Sequence, residues 1–137
     1  MPAKTEKTHV VKAKKKLGRL IFKCREKTMS QRQLATAIGL PPSNMKYIED
    51  GVNCPTADVY SRLITVLKPS SKQRAELDQA YMIIRNVPPP DVCDRVKKDI
   101  HLMNAIRAMD DTPLTEVQAQ QLIALLSSFV TENRKGS

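Results

Sequence analysis

Residues 29–51, MSQRQLATAIGLPPSNMKYIEDG, carry two short helical patterns around a Gly-Leu-Pro-Pro hinge, and their reading decides the fold. Ser30 stands where a helix N-cap belongs, its hydroxyl able to accept from amides two or three residues on, and Gln33 completes a capping box. Leu34, Ala35 and Ile38 follow at helical spacing. Gly39 supplies the left-handed backbone that closes a helix. Leu40 turns back toward the core, and Pro41-Pro42 set the next start, because proline in a first helical turn lacks only an amide that would have no partner. The next helix, roughly residues 42–50, buries Met45 and Ile48 and stops at Gly51. Isolated helices under about 12 residues are marginal in water, so neighbours must hold both.

Working outward, Leu17, Leu20, Ile21 and Cys24 mark an amphipathic first helix over residues 17–27. Beyond Gly51, Asn53-Cys54-Pro55 forms a loop, and Thr56 caps a fourth helix with Val59, Leu63, Ile64 and Leu67 inward, ended by Pro69. A fifth spans residues 71–85 with Leu77, Ala80, Tyr81 and Ile84 inward. Residues 86–91, NVPPPD, read as a stiff extended linker. Val92, Val96, Ile100, Met103 and Ile106 then make one stripe, residues 110–113 break it, and Thr115 with Gln118 forms another capping box. Val117, Leu122, Leu125, Leu126, Phe129 and Val130 provide a second apolar face. The expected organisation is a flexible basic arm over 1–16, a helical domain over 17–85, a linker over 86–91, and a helical hairpin over 92–132. That hairpin has more apolar surface than two helices cover by themselves, which marks it as a dimerisation element or a site for another protein.

Of the chain's net charge of +9, the first 27 residues carry +8, which points to a polyanionic partner or a solubilising tail. The three cysteines, Cys24, Cys54 and Cys93, are too far apart for a zinc pattern and odd in number, so they read as reduced thiols. No glycine-rich phosphate loop, metal set or nucleophile with a base is present, so an enzyme is not expected, and no cofactor or metal is implied. No apolar run reaches the roughly 18 residues of a bilayer span, and the lysine-rich start lacks the apolar stretch of a secretory signal. A cytoplasmic protein without membrane contact is expected.

Two short helices joined by a glycine-containing turn, with small Ala35 permitting a close crossing and Leu40 anchoring the turn, satisfy the requirements of a helix-turn-helix. Residues 17–68, and especially Arg25, Ser30-Gln31, Leu34-Ala35, Ile38-Gly39-Leu40, Met45, Ile48-Glu49, Gly51, Pro55 and the Leu63-Ile64 to Leu67 register, resemble the lambda-repressor-like (Cro/C1, XRE-type) helix-turn-helix family. The resemblance implies an all-α, five-helix DNA-binding domain, usually dimeric on a two-fold symmetric operator, here followed by the C-terminal helical hairpin. It implies a phosphate contact for Gln31, groove-facing positions for Ser43, Asn44, Lys46 and Tyr47, and a DNA contact for the loop residue Asn53. Lys14, Lys15 and Lys16 are similar to a basic arm, and Arg25 with Glu49 to a structural ion pair. Pro42 departs from the family, standing where relatives often carry a base-reading glutamine, so that contact is absent.

The residue types fit the chemistry. Asn44 pairs well with adenine, Ser43 addresses either donor or acceptor, and the Tyr47 ring suits a thymine methyl. Lysines on phosphates add salt-sensitive affinity without sequence choice. The expected function is a transcriptional regulator, most naturally a repressor, bound to double-stranded DNA as a homodimer. The alternative is an antitoxin-like module that neutralises a protein partner and binds DNA secondarily.

Overall fold

The computed structural model describes residues 7–135, and all regular structure there is helical: α1 (Thr8–Arg25), α2 (Gln31–Ala37), α3 (Pro42–Glu49), α4 (Ala57–Leu67), α5 (Ser71–Arg85), α6 (Pro90–Lys97), α7 (Ile100–Ala108) and α8 (Glu116–Lys135). The chain divides into two compact units, one ending at Asp99 and one beginning at Ile100. None of the described helices is long and apolar enough to cross a membrane.

The first unit is built around α1, which packs along α5 and against α3, while α2 crosses α3. Its core is continuous: Leu17 and Ile21 from α1, Leu34 and Ala35 from α2, Ile38 from the turn, Met45 and Ile48 from α3, Tyr60 and Leu63 from α4, and Leu77, Ala80 and Tyr81 from α5. α1 begins nine residues before the expected Leu17, a correction to the flexible arm over 1–16: Thr8 to Lys16 are helical, and only residues 1–6 lie outside the described part. The reason is visible in the packing. Val10 and Ala13 continue the Leu17-Ile21 period toward the N-terminus, Ala13 is buried, and lysine is a good helix former.

α4 buries Leu63 as expected, with Val59, Ile64 and Leu67 packed partly buried against the core, and adds Tyr60 to that face. Tyr60 is fully buried, whereas Val59 is only partly so. The Tyr60 ring stacks on Tyr81 with centroids 4.2 Å apart, and its hydroxyl donates to Asp78 Oδ1 at 2.6 Å. Burial and the bond to Asp78 push the Tyr60 phenol pKa well up. Asp78 also accepts from Arg74 Nε, and Arg74 reaches Asp91 at the start of α6 at 3.2 Å.

That last contact corrects the expected linker and hairpin. α6 starts at Pro90, inside the predicted linker over 86–91, and packs against α4 as part of the first unit. The stripe from Val92 to Ile106 is not one helix: it breaks between Lys97 and Ile100, so α6 and α7 fall in different units. In the second unit the Thr115–Gln118 capping box is formed, with Thr115 Oγ1 accepting from the Gln118 amide and Gln118 Oε1 accepting from the Thr115 amide. No residue of α7 or α8 is buried.

Candidate nucleic-acid interface

The site is assembled from the start of α2, all of α3 and the loop after it. Ser30 caps α2, accepting from the Gln33 amide at 3.0 Å while Gln33 Oε1 accepts from the Ser30 amide at 2.8 Å. At the other end Gly39 adopts φ +70°, and the Leu40 amide donates to Ala35 O at 2.8 Å, closing the helix and turning the chain. Arg62 of α4 donates to Ile38 O at 3.0 Å, tying this turn to the next helix. Pro42 opens α3, as the sequence predicts.

α3 is held from behind. Met45 is fully buried and Ile48 nearly so, leaving Ser43, Asn44, Lys46 and Tyr47 exposed, with Tyr47 48% accessible. Lys46 donates to Asp50 at 2.7 Å in an exposed pair, which raises its pKa and yields readily to a stronger anion. At the C-terminal end of α3, α1 comes so close that a Cβ on Gly18 would lie 2.6 Å from Ile48 O. One turn earlier on α1, the Lys15 backbone abuts Gly51, where φ is +78° and an added Cβ would meet Lys15 Cα at 2.7 Å. Two glycines thus set how near α1 lies to α3 and its exit.

The Arg25–Glu49 pair expected from the resemblance is present and two-pronged: Arg25 Nε donates to Glu49 Oε2, and NH2 donates to Oε1 at 2.7 Å. Both side chains are largely buried, 11% and 5% exposed, and Glu49 raises the Arg25 pKa. Gln31 Nε2 donates to the same Glu49 oxygen at 3.0 Å, so the residue expected on a phosphate also clamps the start of α2 to the end of α3. This three-residue clamp fixes the spacing of the two helices from opposite ends of the motif.

Asn53 is exposed in the loop after α3, which is pinned because the Val52 and Asn53 amides both donate to Tyr47 O, at 2.9 and 3.2 Å. Arg85, the last residue of α5, donates to Cys54 O and Pro55 O at 2.9 Å. Lys7, Lys14, Asn53, Cys54 and Arg85 line one cleft, which draws Lys14 and Asn53 together. Lys14, Lys15 and Lys16 do not act as one arm: consecutive helical residues point about 100° apart, so Lys14 turns toward this cleft while Lys15 and Lys16 are exposed. Lys16 instead belongs to an exposed ridge with Lys12, Arg19 and Lys23, spaced four, three and four on α1. Lys7, Lys12, Arg19 and Lys23 entered the sequence reading only as part of the basic charge of residues 1–27, and Arg85 only as the end of the fifth helix. The four-three-four spacing was the available signal for the ridge, and none marked Arg85.

All three cysteines are free thiols, and burial raises the pKa of Cys24 and Cys54. Among the described residues no group of His, Cys, Asp and Glu could hold a metal ion. No family model, curated protein or solved structure matches the chain.

Proposed function

We propose that this chain is a sequence-specific DNA-binding transcriptional regulator of the lambda-repressor-like helix-turn-helix type, acting as a repressor on a two-fold symmetric operator. α3 enters the major groove, Ser43, Asn44 and Tyr47 read base edges, Lys46 and Asn53 meet the backbone, and Lys14 and Arg85 line the adjoining basic cleft. The observation that carries the reading is the two-sidedness of α3: Met45 and Ile48 lie in the core, the Arg25–Glu49–Gln31 clamp fixes its end, and four polar or aromatic side chains project on the remaining surface. A helix held so firmly and displayed so openly is suited to docking as a rigid reader. One recognition helix spans only a half-site, so affinity for a full operator needs a homodimer, and the uncovered apolar α8 supports one. The same uncovered helix also favours, as a second reading, an antitoxin-like module whose partner is a different protein.

The test is selection of bound duplexes from a random DNA pool with the wild-type chain, followed by Asn44→Ala together with Tyr47→Ala. The expected result is a selected motif for the wild type, and for the double variant a loss of discrimination of about 10- to 100-fold at unchanged helicity. Undiminished preference in that variant defeats the assignment of α3.

A further inference from the structure

We infer that the cleft walled by the start of α1, the loop after α3 and the end of α5 is a binding site for a free phosphate monoester carried on a small apolar body. Binding there is independent of the DNA reading, and only its consequence for α3 rests on the proposed function. The cleft has a volume of about 450 Å³, within the range of about 300–1,000 Å³ of small-molecule sites. Lys7 and Lys14 line it from α1 and Arg85 from α5, and none of the described residues lining it is acidic. Val10, Ile84 and the Cys54 thiol give it an apolar wall beside those cations.

Arg85 is set in place before any ligand arrives: Nε donates to Pro55 O at 3.2 Å, and NH2 donates to Cys54 O and Pro55 O, both at 2.9 Å. NH1 takes no part in these bonds, so the guanidinium keeps a donor for an anion at little further cost in side-chain entropy. Burial raises the Cys54 pKa, and Arg85 and Lys14 both work against it, so the two cations converge on one wall of the cleft. Lys14 interacts elsewhere as well, which leaves Lys7 and Arg85 as the principal pair. Two or three cations without an acid call for a head group with more than one negative charge. A phosphate monoester carries about −1.5 to −2 at pH 7, whereas a carboxylate or a backbone phosphodiester carries one. The apolar wall suits the ester's body, a place that a duplex backbone flanked by sugars and water does not fill. Asn53 also lines the cleft, and its amide donates to Tyr47 O at 3.2 Å, so the occupied cleft adjoins a residue bonded directly to the reading helix.

Phenyl phosphate is titrated into the isotope-labelled full chain without DNA, and the backbone amide resonances are followed by NMR. The expected result is a common response of the Val10, Asn53, Cys54 and Ile84 amides with a Kd of about 1 mM, and little response to benzyl alcohol or to sodium chloride at matched ionic strength. Lys7→Gln is expected to weaken binding about 3- to 10-fold, and it leaves the fold alone because Lys7 is exposed and its side chain makes no cap bond to α1. Lys72→Gln, which removes an exposed cation at the opposite end of α5 from Arg85, should bind as wild type does. Arg85→Gln should weaken binding about 10-fold or more, but it also frees the loop, so Lys7→Gln is the deciding variant. Shifts scattered over the surface, an equal response to benzyl alcohol, or a Lys7→Gln chain that binds like wild type overturns the proposal. A duplex of unselected sequence that moves these amides where phenyl phosphate does not assigns the cleft to the DNA backbone and overturns it as well. Ester binding by a chain with no DNA preference defeats the DNA reading alone, whereas DNA preference with a silent cleft defeats this inference alone.

Discussion

Replacing Glu49 by Gln tests the clamp on which the geometry of α2 and α3 depends. The carboxylate is 5% exposed and accepts two bonds from Arg25 and one from Gln31. The substitution keeps the volume but leaves the guanidinium facing a neutral group, with an amide NH2 turned toward a donor. Removing one member of a buried pair costs about 3–5 kcal/mol, because the surviving charge stays out of water. Arg25 keeps 11% exposure and sits 4.9 Å from the Phe22 ring centroid, a cation–π contact that offsets part of the loss. The expectation is therefore the lower end of that range, about 3 kcal/mol. For a unit of this size each kcal/mol moves the melting temperature by about 4–8 °C, giving a drop of about 12–24 °C. Urea and thermal unfolding followed by far-UV circular dichroism at neutral pH measure both quantities. Raising salt from about 0.1 to 1 M should change the loss little, as buried pairs are weakly screened. The paired replacement Arg25→Met with Glu49→Leu should lie within about 1.5 kcal/mol of wild type, since apolar side chains of similar volume remove both charges together. A Glu49→Gln loss under about 0.5 kcal/mol, or a double variant as unstable as the two single losses summed, would refute the clamp as a coupled unit.

Gly18→Ala forces its new methyl onto the Ile48 and Glu49 carbonyls, and is expected to destabilise by about 1–3 kcal/mol and to weaken DNA binding beyond the fraction unfolded, as titration of a selected duplex against folded protein would read. The raised Tyr60 pKa means the folded state retains a proton that the unfolded state releases above its ordinary value of 10.0. Its contribution is thus complete below pH 10 and is lost as pH climbs beyond it, at up to about 1.4 kcal/mol per pH unit. Tyr60→Phe should be less stable by about 1–2 kcal/mol at pH 7, from its lost bond to Asp78, yet show a shallower decline in urea midpoints between pH 10 and 11. An equally steep decline in both proteins would count against the buried phenol as its source.

The helices nearest the candidate interface were the most legible in the sequence because their ends are set by local chemistry. Ser30 with Gln33, Gly39, Pro42 and Thr56 each act within one turn, and α2, α3 and α4 begin at the positions those residues mark. Where tertiary contacts decide, the sequence misled. Four lysines among residues 8–16 masked a helix whose apolar side is only Val10 and Ala13, and Asp91 gave no sign that Arg74 would draw α6 onto the first unit. Tyr60 was hidden by Val59 beside it, since its burial depends on Tyr81 and Asp78 eighteen or more residues away. For the interface, exposure of Ser43, Asn44, Lys46 and Tyr47 followed directly from the burial of Met45 and Ile48. The second role of Gln31 and the cleft formed by Lys14, Asn53 and Arg85 required the folded arrangement.

The packing of α1 along α5 has a consequence for synthesis on the ribosome. The apolar side of the first helix finds its main covering only after residues 71–85 have been made. At about 5–20 residues per second, the sixty residues between Arg25 and Arg85 take about 3–12 seconds. Through that interval Leu17 and Ile21 emerge without their final neighbours, and the lysines interleaved with them keep the nascent segment apart from its fellows until the closing helix arrives.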